Sequence, residues 1–145
     1  MSKRVIELFV IDLLIAMDKI SRYHDGFSDA QNFYHDDKSF DATIRELQII
    51  GEATKHLINA KILGNEHRVI VDFRNLIVHE YFGIDADEIW NILHQELPSF
   101  KKSVHMLLSE FDKEKLLQVI SNTQEDSRGK TAIFLQSLYA EISAT

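Results

Sequence analysis

Apolar positions recur along this chain at alternating three- and four-residue steps, the spacing that stacks side chains on one face of an α-helix. The first such stretch, Lys3 to Tyr23, carries Ile6, Phe9, Leu13, Met17 and Ile20 in one row. Val5, Leu8, Ile11, Leu14 and Ile15 form a second apolar face. A helix apolar on two sides needs two neighbours, within a bundle or across a subunit interface. Gly26 ends it, and Ser28 is placed to cap a short helix over Asp29 to His35.

From Ser39 to Ile58 the row is Phe40, Ile44, Leu47, Gly51, Thr54 and Ile58. A mid-helix glycine costs about 1 kcal/mol against alanine, so Gly51 points to close approach of another helix or chain. Asn59 to Glu66, with Gly64-Asn65, reads as a connector. A fourth helix runs from about His67 to Tyr81 and is stopped by Gly83. Asp85 followed by Glu88 gives a capping-box-like start to a fifth helix reaching about Phe111. Pro98 lies inside it and is expected to kink or split it. Two further helices, Lys113 to Ile120 and Thr131 to Ser143, flank a polar, disorder-like Asn122 to Lys130. The pattern predicts an all-α, up-and-down bundle of about five to seven helices. Residues 1–111 form the bundle. Residues 112–145 form a helical extension whose stripe Ile133, Phe134, Leu138 and Ile142 packs on the bundle or on a partner.

Composition narrows the chemistry. The 145 residues include no cysteine, which removes thiol nucleophiles, Cys-ligated metals and disulfides. Sixteen Lys and Arg stand against twenty-three Asp and Glu, a net charge of −7. A protein that grips a duplex along its length shows a basic excess, so any nucleic-acid role here rests on a small local site. The basic start Met1-Ser2-Lys3-Arg4 precedes an apolar run, but Glu7 and Asp12 interrupt it and no cleavage site follows. No membrane span and a cytoplasmic location are the expectation.

The candidate chemistry sits in the fourth helix, in Arg74-Asn75-Leu76-Ile77-Val78-His79-Glu80-Tyr81. With Arg74 at zero, Asn75 falls at about 100°, His79 at about 140° and Tyr81 at about 340° around the helix. Leu76 and Ile77, at about 200° and 300°, are expected to turn towards a core. Arginine offers a fixed fork of donors matched to phosphate oxygens. Histidine titrates near neutrality and moves protons. Together they can serve phosphodiester cleavage in RNA, where the 2′-hydroxyl is the nucleophile and a cation offsets charge in the transition state. No metal and no cofactor are required. Two other readings stay open on these residues alone. One is a non-catalytic module that binds a nucleotide or protein through Arg74 and Tyr81. The other is a structural bundle in which Arg74 pairs with an acid such as Glu52.

The segment Arg74 to Tyr81 resembles the Arg-x4-His-x-Tyr motif of the HEPN superfamily, specifically its HepT-like toxins. Phe40 to Leu47, Ile49 to Ala53 and Phe73 through Gly83-Ile84 also resemble that family's stretches, so the likeness covers roughly residues 3 to 111. It implies an α-helical bundle pairing as a homodimer, with two copies of the motif in a shared cleft. It implies a metal-independent endoribonuclease toxin acting on RNA, tRNA among the substrate classes. The implied partner is an MntA-type nucleotidyltransferase antitoxin that transfers AMP to the motif tyrosine. By position, Arg74 and His79 become the catalytic pair, Asn75 their polar support and Tyr81 the AMP acceptor. Lys55, His56 and Arg68 are candidates to add positive charge to the shared cleft. Residues 112–145 fall outside the usual family length.

Other constellations are weaker. His79-Glu80 begins a His-Glu-x-x-His zinc motif, but position 83 is glycine. His35-Asp36-Asp37 reads as an exposed polar turn. His94 and His105, eleven apart, share a helical face without a convincing carboxylate partner. Trp90 and Phe100 read as core.

Overall fold

A computed structural model describes residues 5–79 and 85–145, with side chains described throughout except at 74–79. The regular elements among the described residues are all helical: α1 (Ile6–His24), α2 (Ala30–Tyr34), α3 (Asp37–Asn59), α4 (Arg68–His79), α5 (Ala86–Asn91), α6 (Leu97–Leu107), α7 (Lys113–Glu125) and α8 (Gly129–Ser143). The all-α bundle expected from the periodicity is therefore present.

Helix α1 is the central strut. Val10, Ile11, Leu13 and Leu14 are sealed from solvent, and the helix packs on α3 along one side and on α6, α7 and α8 elsewhere. Its two apolar faces thus both find neighbours within the chain. Polar ties accompany the packing. Glu7, only 6% exposed, is met by Lys115 Nζ of α7 at 3.5 Å. Arg22 donates to Asp18 on its own helix at 3.2 Å and to Thr131 Oγ1 of α8 at 3.4 Å. Lys113 Nζ donates to the Ser143 carbonyl at 3.2 Å, which closes α7 and α8 into a hairpin. The segment 112–145 therefore lies against α1.

The short helix α2 is capped by Asp29, whose carboxylate accepts from the Asn32 N–H at 2.8 Å. Ser28, the residue expected in that role, precedes the cap by one position. Asp29 has the extended backbone a cap needs, and its charge suits the positive end of the helix. Asp36 caps α3 in the same way, accepting from the Ser39 N–H at 3.0 Å. Asp85 Oδ1 accepts from Asp87 and Glu88, the start the sequence predicts for α5.

Pro98 neither breaks nor splits the helix. Residues Ile92–Glu96 form one π turn, with the Leu97 N–H donating to the Ile92 carbonyl, and α6 continues with the proline in its first turn. A proline lacks the N–H that would return to residue 94 and crowds that carbonyl. The wider turn accommodates both defects and keeps α5 and α6 continuous.

The polar Asn122 to Lys130 is the larger correction. Helix α7 runs on to Glu125, α8 starts at Gly129, and only Asp126 to Arg128 connect them. Thr123 and Ser127 donate to carbonyls four residues back at 2.7 Å each, holding the turn together. Polarity here reflects an outward face: Leu116 and Ile120 point inward from the same helix. In α8 the inward row is Leu135, Leu138 and Ile142, while Ile133 is 62% exposed. Ile133 lies off the three- and four-residue spacing of that row, so it cannot share its face.

Candidate active site

The connector before α4 aims that helix. At the end of α3 the Lys61 N–H donates to Ile58 and the Ile62 N–H to Leu57, at 3.0 and 2.9 Å. This is a Schellman closure, with Lys61 in the left-handed region at φ 61°. A 3-10 turn, Asn65–His67, then leads into α4. The His67 ring lies tilted against Phe100 of α6, ring centroids 5.4 Å apart and planes 58° from parallel. Ile70 and Val71 are 4% exposed and seat α4 on α3. With so short a connection, α4 runs antiparallel to α3.

Arg74, Asn75 and His79 all fall on α4, which is unbroken from Arg68 to His79. Their side chains lie outside the described residues, as does the expected inward turn of Leu76 and Ile77. Tyr81, Glu80 and the stop at Gly83 also lie outside them. The helical register carries position 74 along the row of buried Ile70 and position 79 along the row of exposed Asp72.

Helices α1 and α3 leave an open groove of about 830 Å³ between them. Ile6, Phe9, Ile49 and Ala53 give it apolar walls, and Asp12, Glu52 and His56 supply polar groups. His56 stacks on Phe9, ring centroids 4.6 Å apart and planes 17° from parallel. Its Nε2 lies 3.6 Å from Glu52 Oε1. Of the three auxiliary cations expected near a cleft, His56 is on the groove wall. Lys55 and Arg68 are exposed and are not among its described lining. Asp12 is a lining residue the sequence reading did not assign. The signal was its interruption of an otherwise apolar helix.

The other candidates resolve locally. His35 Nδ1 lies 2.8 Å from the Gln31 carbonyl, and Asp36 is the α3 cap, so that triplet is the exposed polar turn expected. His94 Nδ1 lies 2.8 Å from the Trp90 carbonyl, its ring 4.2 Å from Trp90 and 5.1 Å from His24. Phe100 is core, but Trp90 is only partly buried, at the edge of that histidine cluster. Burial, and then the neighbouring His94, push the His24 pKa below its usual value. Burial pushes the Glu46 carboxyl up, opposed by Lys19, Arg45 and Arg22.

The fold defines a compact class of helical-bundle proteins in which one short helix carries an arginine, an asparagine and a histidine within six residues. Comparison with known proteins specifies the class. Residues 13–107 match the family model described as "Ribonuclease HepT-like". "Putative RNase MJ1380" of Methanocaldococcus jannaschii is 32% identical over 110 residues, 74% of this chain and all of that protein. "Probable ribonuclease HepT" of Thermococcus cleftensis is 38% identical over 74 residues, 49% of this chain and 67% of that protein. No solved structure matches. The chain belongs to the HepT-like ribonuclease family. No helix among the described residues is long and apolar enough to cross a membrane.

Proposed function

We propose that this protein is a metal-independent endoribonuclease, the toxin of a toxin–antitoxin pair, cutting RNA of the tRNA class with Arg74 and His79. The observation that carries the reading is the family match over residues 13–107, which includes all of α4 and both residues. In the proposed reaction the His79 imidazole takes the proton of a 2′-hydroxyl. That oxygen attacks the adjacent phosphorus and the bond to the 5′-oxygen breaks. Protonation of the leaving oxygen falls to His79 of the partner subunit. Arg74 offsets the charge that accumulates on the phosphoryl oxygens, and Asn75 steadies the imidazole or the phosphate by a hydrogen bond. The products are a cyclic 2′,3′-phosphate and a 5′-hydroxyl.

The homodimer is part of the same proposal. A single α4 in a chain of net charge −7 attracts RNA poorly, and two copies double the local arginine density. The apolar groove between α1 and α3, with Ile49 of its lining 36% exposed, is material for such an interface. Control is proposed to come from an MntA-type nucleotidyltransferase that joins AMP from ATP to the Tyr81 hydroxyl. The added anion would block the cleft by bulk and by repelling phosphates.

The test is incubation of purified protein with total tRNA and chelator, followed by end-group analysis. Cleavage is expected from the wild type and is absent in Arg74→Ala and His79→Ala. Full activity in either variant refutes the assignment. With ATP, magnesium and the antitoxin, adenylate mass is expected on the wild type and not on Tyr81→Phe.

A further inference from the structure

The acidic chain reverses sign locally where the C-terminal half of α1 meets the α7–α8 turn. An open concavity of about 560 Å³ there is lined by Lys19, Arg22, Arg128 and Lys130, with Asp126 as the carboxylate among its lining residues. Part of this charge is already committed. Arg22 is paired with Asp18, and Lys19 and Arg22 face the buried Glu46. Arg128 and Lys130 are exposed and make no ion pair among the described residues. Two guanidinium forks and two ammonium groups stand around one concavity, and the Arg128 guanidinium and Lys130 ammonium, exposed and without an ion pair among the described residues, match the oxygens of phosphate diesters. The first residues of α8, Gly129 to Thr131, line the same concavity, and Arg128 provides no side-chain cap to their N–H groups.

Location favours a polymeric anion. Helix α4 has twelve residues and is therefore about 18 Å long. Running antiparallel to α3, it brings its His79 end alongside the first half of α3. That half holds Glu46, which Lys19 and Arg22 face from α1. The cationic concavity and the C-terminal half of α4 are thus both placed by the same stretch of α3. Arg128 and Lys130 also fall beyond the family match, which ends at residue 107.

We propose that this concavity holds backbone phosphates of the RNA substrate away from the scissile linkage, so that the α7–α8 hairpin is a substrate-positioning element. The identity of the anion rests on the ribonuclease reading, and the test separates the two. Binding of a labelled single-stranded RNA of about 20 nucleotides is measured against KCl concentration for the full chain and for Arg128→Gln/Lys130→Gln. Single strands contribute about 0.7 to the salt slope per phosphate contact. The double variant should therefore bind on the order of tenfold more weakly, with a slope shallower by about 1.4. Cleavage of a dinucleotide should be unchanged while KM for full-length tRNA rises. Unchanged affinity and slope overturn the proposal. If no RNA is cut by any form yet binding falls as expected, the ribonuclease reading fails and the RNA site stands. Lys130→Gln alone, at an exposed position, serves if the double variant does not fold, with a slope change of about 0.7.

Discussion

Truncating Leu135 to alanine tests whether the C-terminal hairpin and the bundle unfold as one unit. Leu135 is fully sealed from solvent on α8, and α8 packs on both α7 and α1. Removing a buried leucine side chain costs about 3 kcal/mol, from lost transfer energy and the cavity left behind. A chain of 145 residues loses roughly 2–4 °C of Tm per kcal/mol. The expected shift of a single cooperative transition is therefore roughly 6–12 °C. Ile50→Ala, in the equally sealed centre of α3, should move the same transition by a similar amount. Differential scanning calorimetry with far-UV circular dichroism reads both. The reasoning is refuted if Leu135→Ala leaves the main transition in place and adds a smaller one below it. That result would mean the hairpin melts on its own and the Glu7–Lys115 and Arg22–Thr131 ties do not couple it to α1.

Two further perturbations follow from local geometry. Lys61→Gly should raise Tm by about 2–4 °C, because a non-glycine residue in the left-handed region carries a cost of about 1–2 kcal/mol, partly offset by the flexibility glycine adds to the unfolded chain. A fall in Tm would show that Lys61 makes a compensating contact. The second concerns pH. His24 has a folded-state pKa below its ordinary 6.5, so the unfolded chain binds the proton more readily. Stability should therefore fall as pH drops below 6.5, and Tm measured at pH 7.5 and 5.5 should diverge less in His24→Gln than in the wild type. Equal divergence would assign the acid sensitivity to other groups.

Periodicity alone determined the helical class, the long α1 and α3, and the capping of α5 by Asp85, because apolar spacing and caps are local properties of the chain. That Arg74 and His79 share one helix was equally legible, since their spacing is local whatever that helix packs against. Tertiary structure decided what local signals cannot encode. Polar Asn122 to Glu125 became helix because Leu116 and Ile120, on the opposite face, found α1 and α8 to pack against. Pro98 was absorbed by a π turn because core residues on either side, Leu93 and Phe100, held the axis continuous. The groove holding Asp12, Glu52 and His56, and the concavity joining Lys19 to Arg128, each draw residues from helices far apart in sequence. Such neighbours are set by which faces bury the most apolar area, a sum over the whole chain that no short window contains.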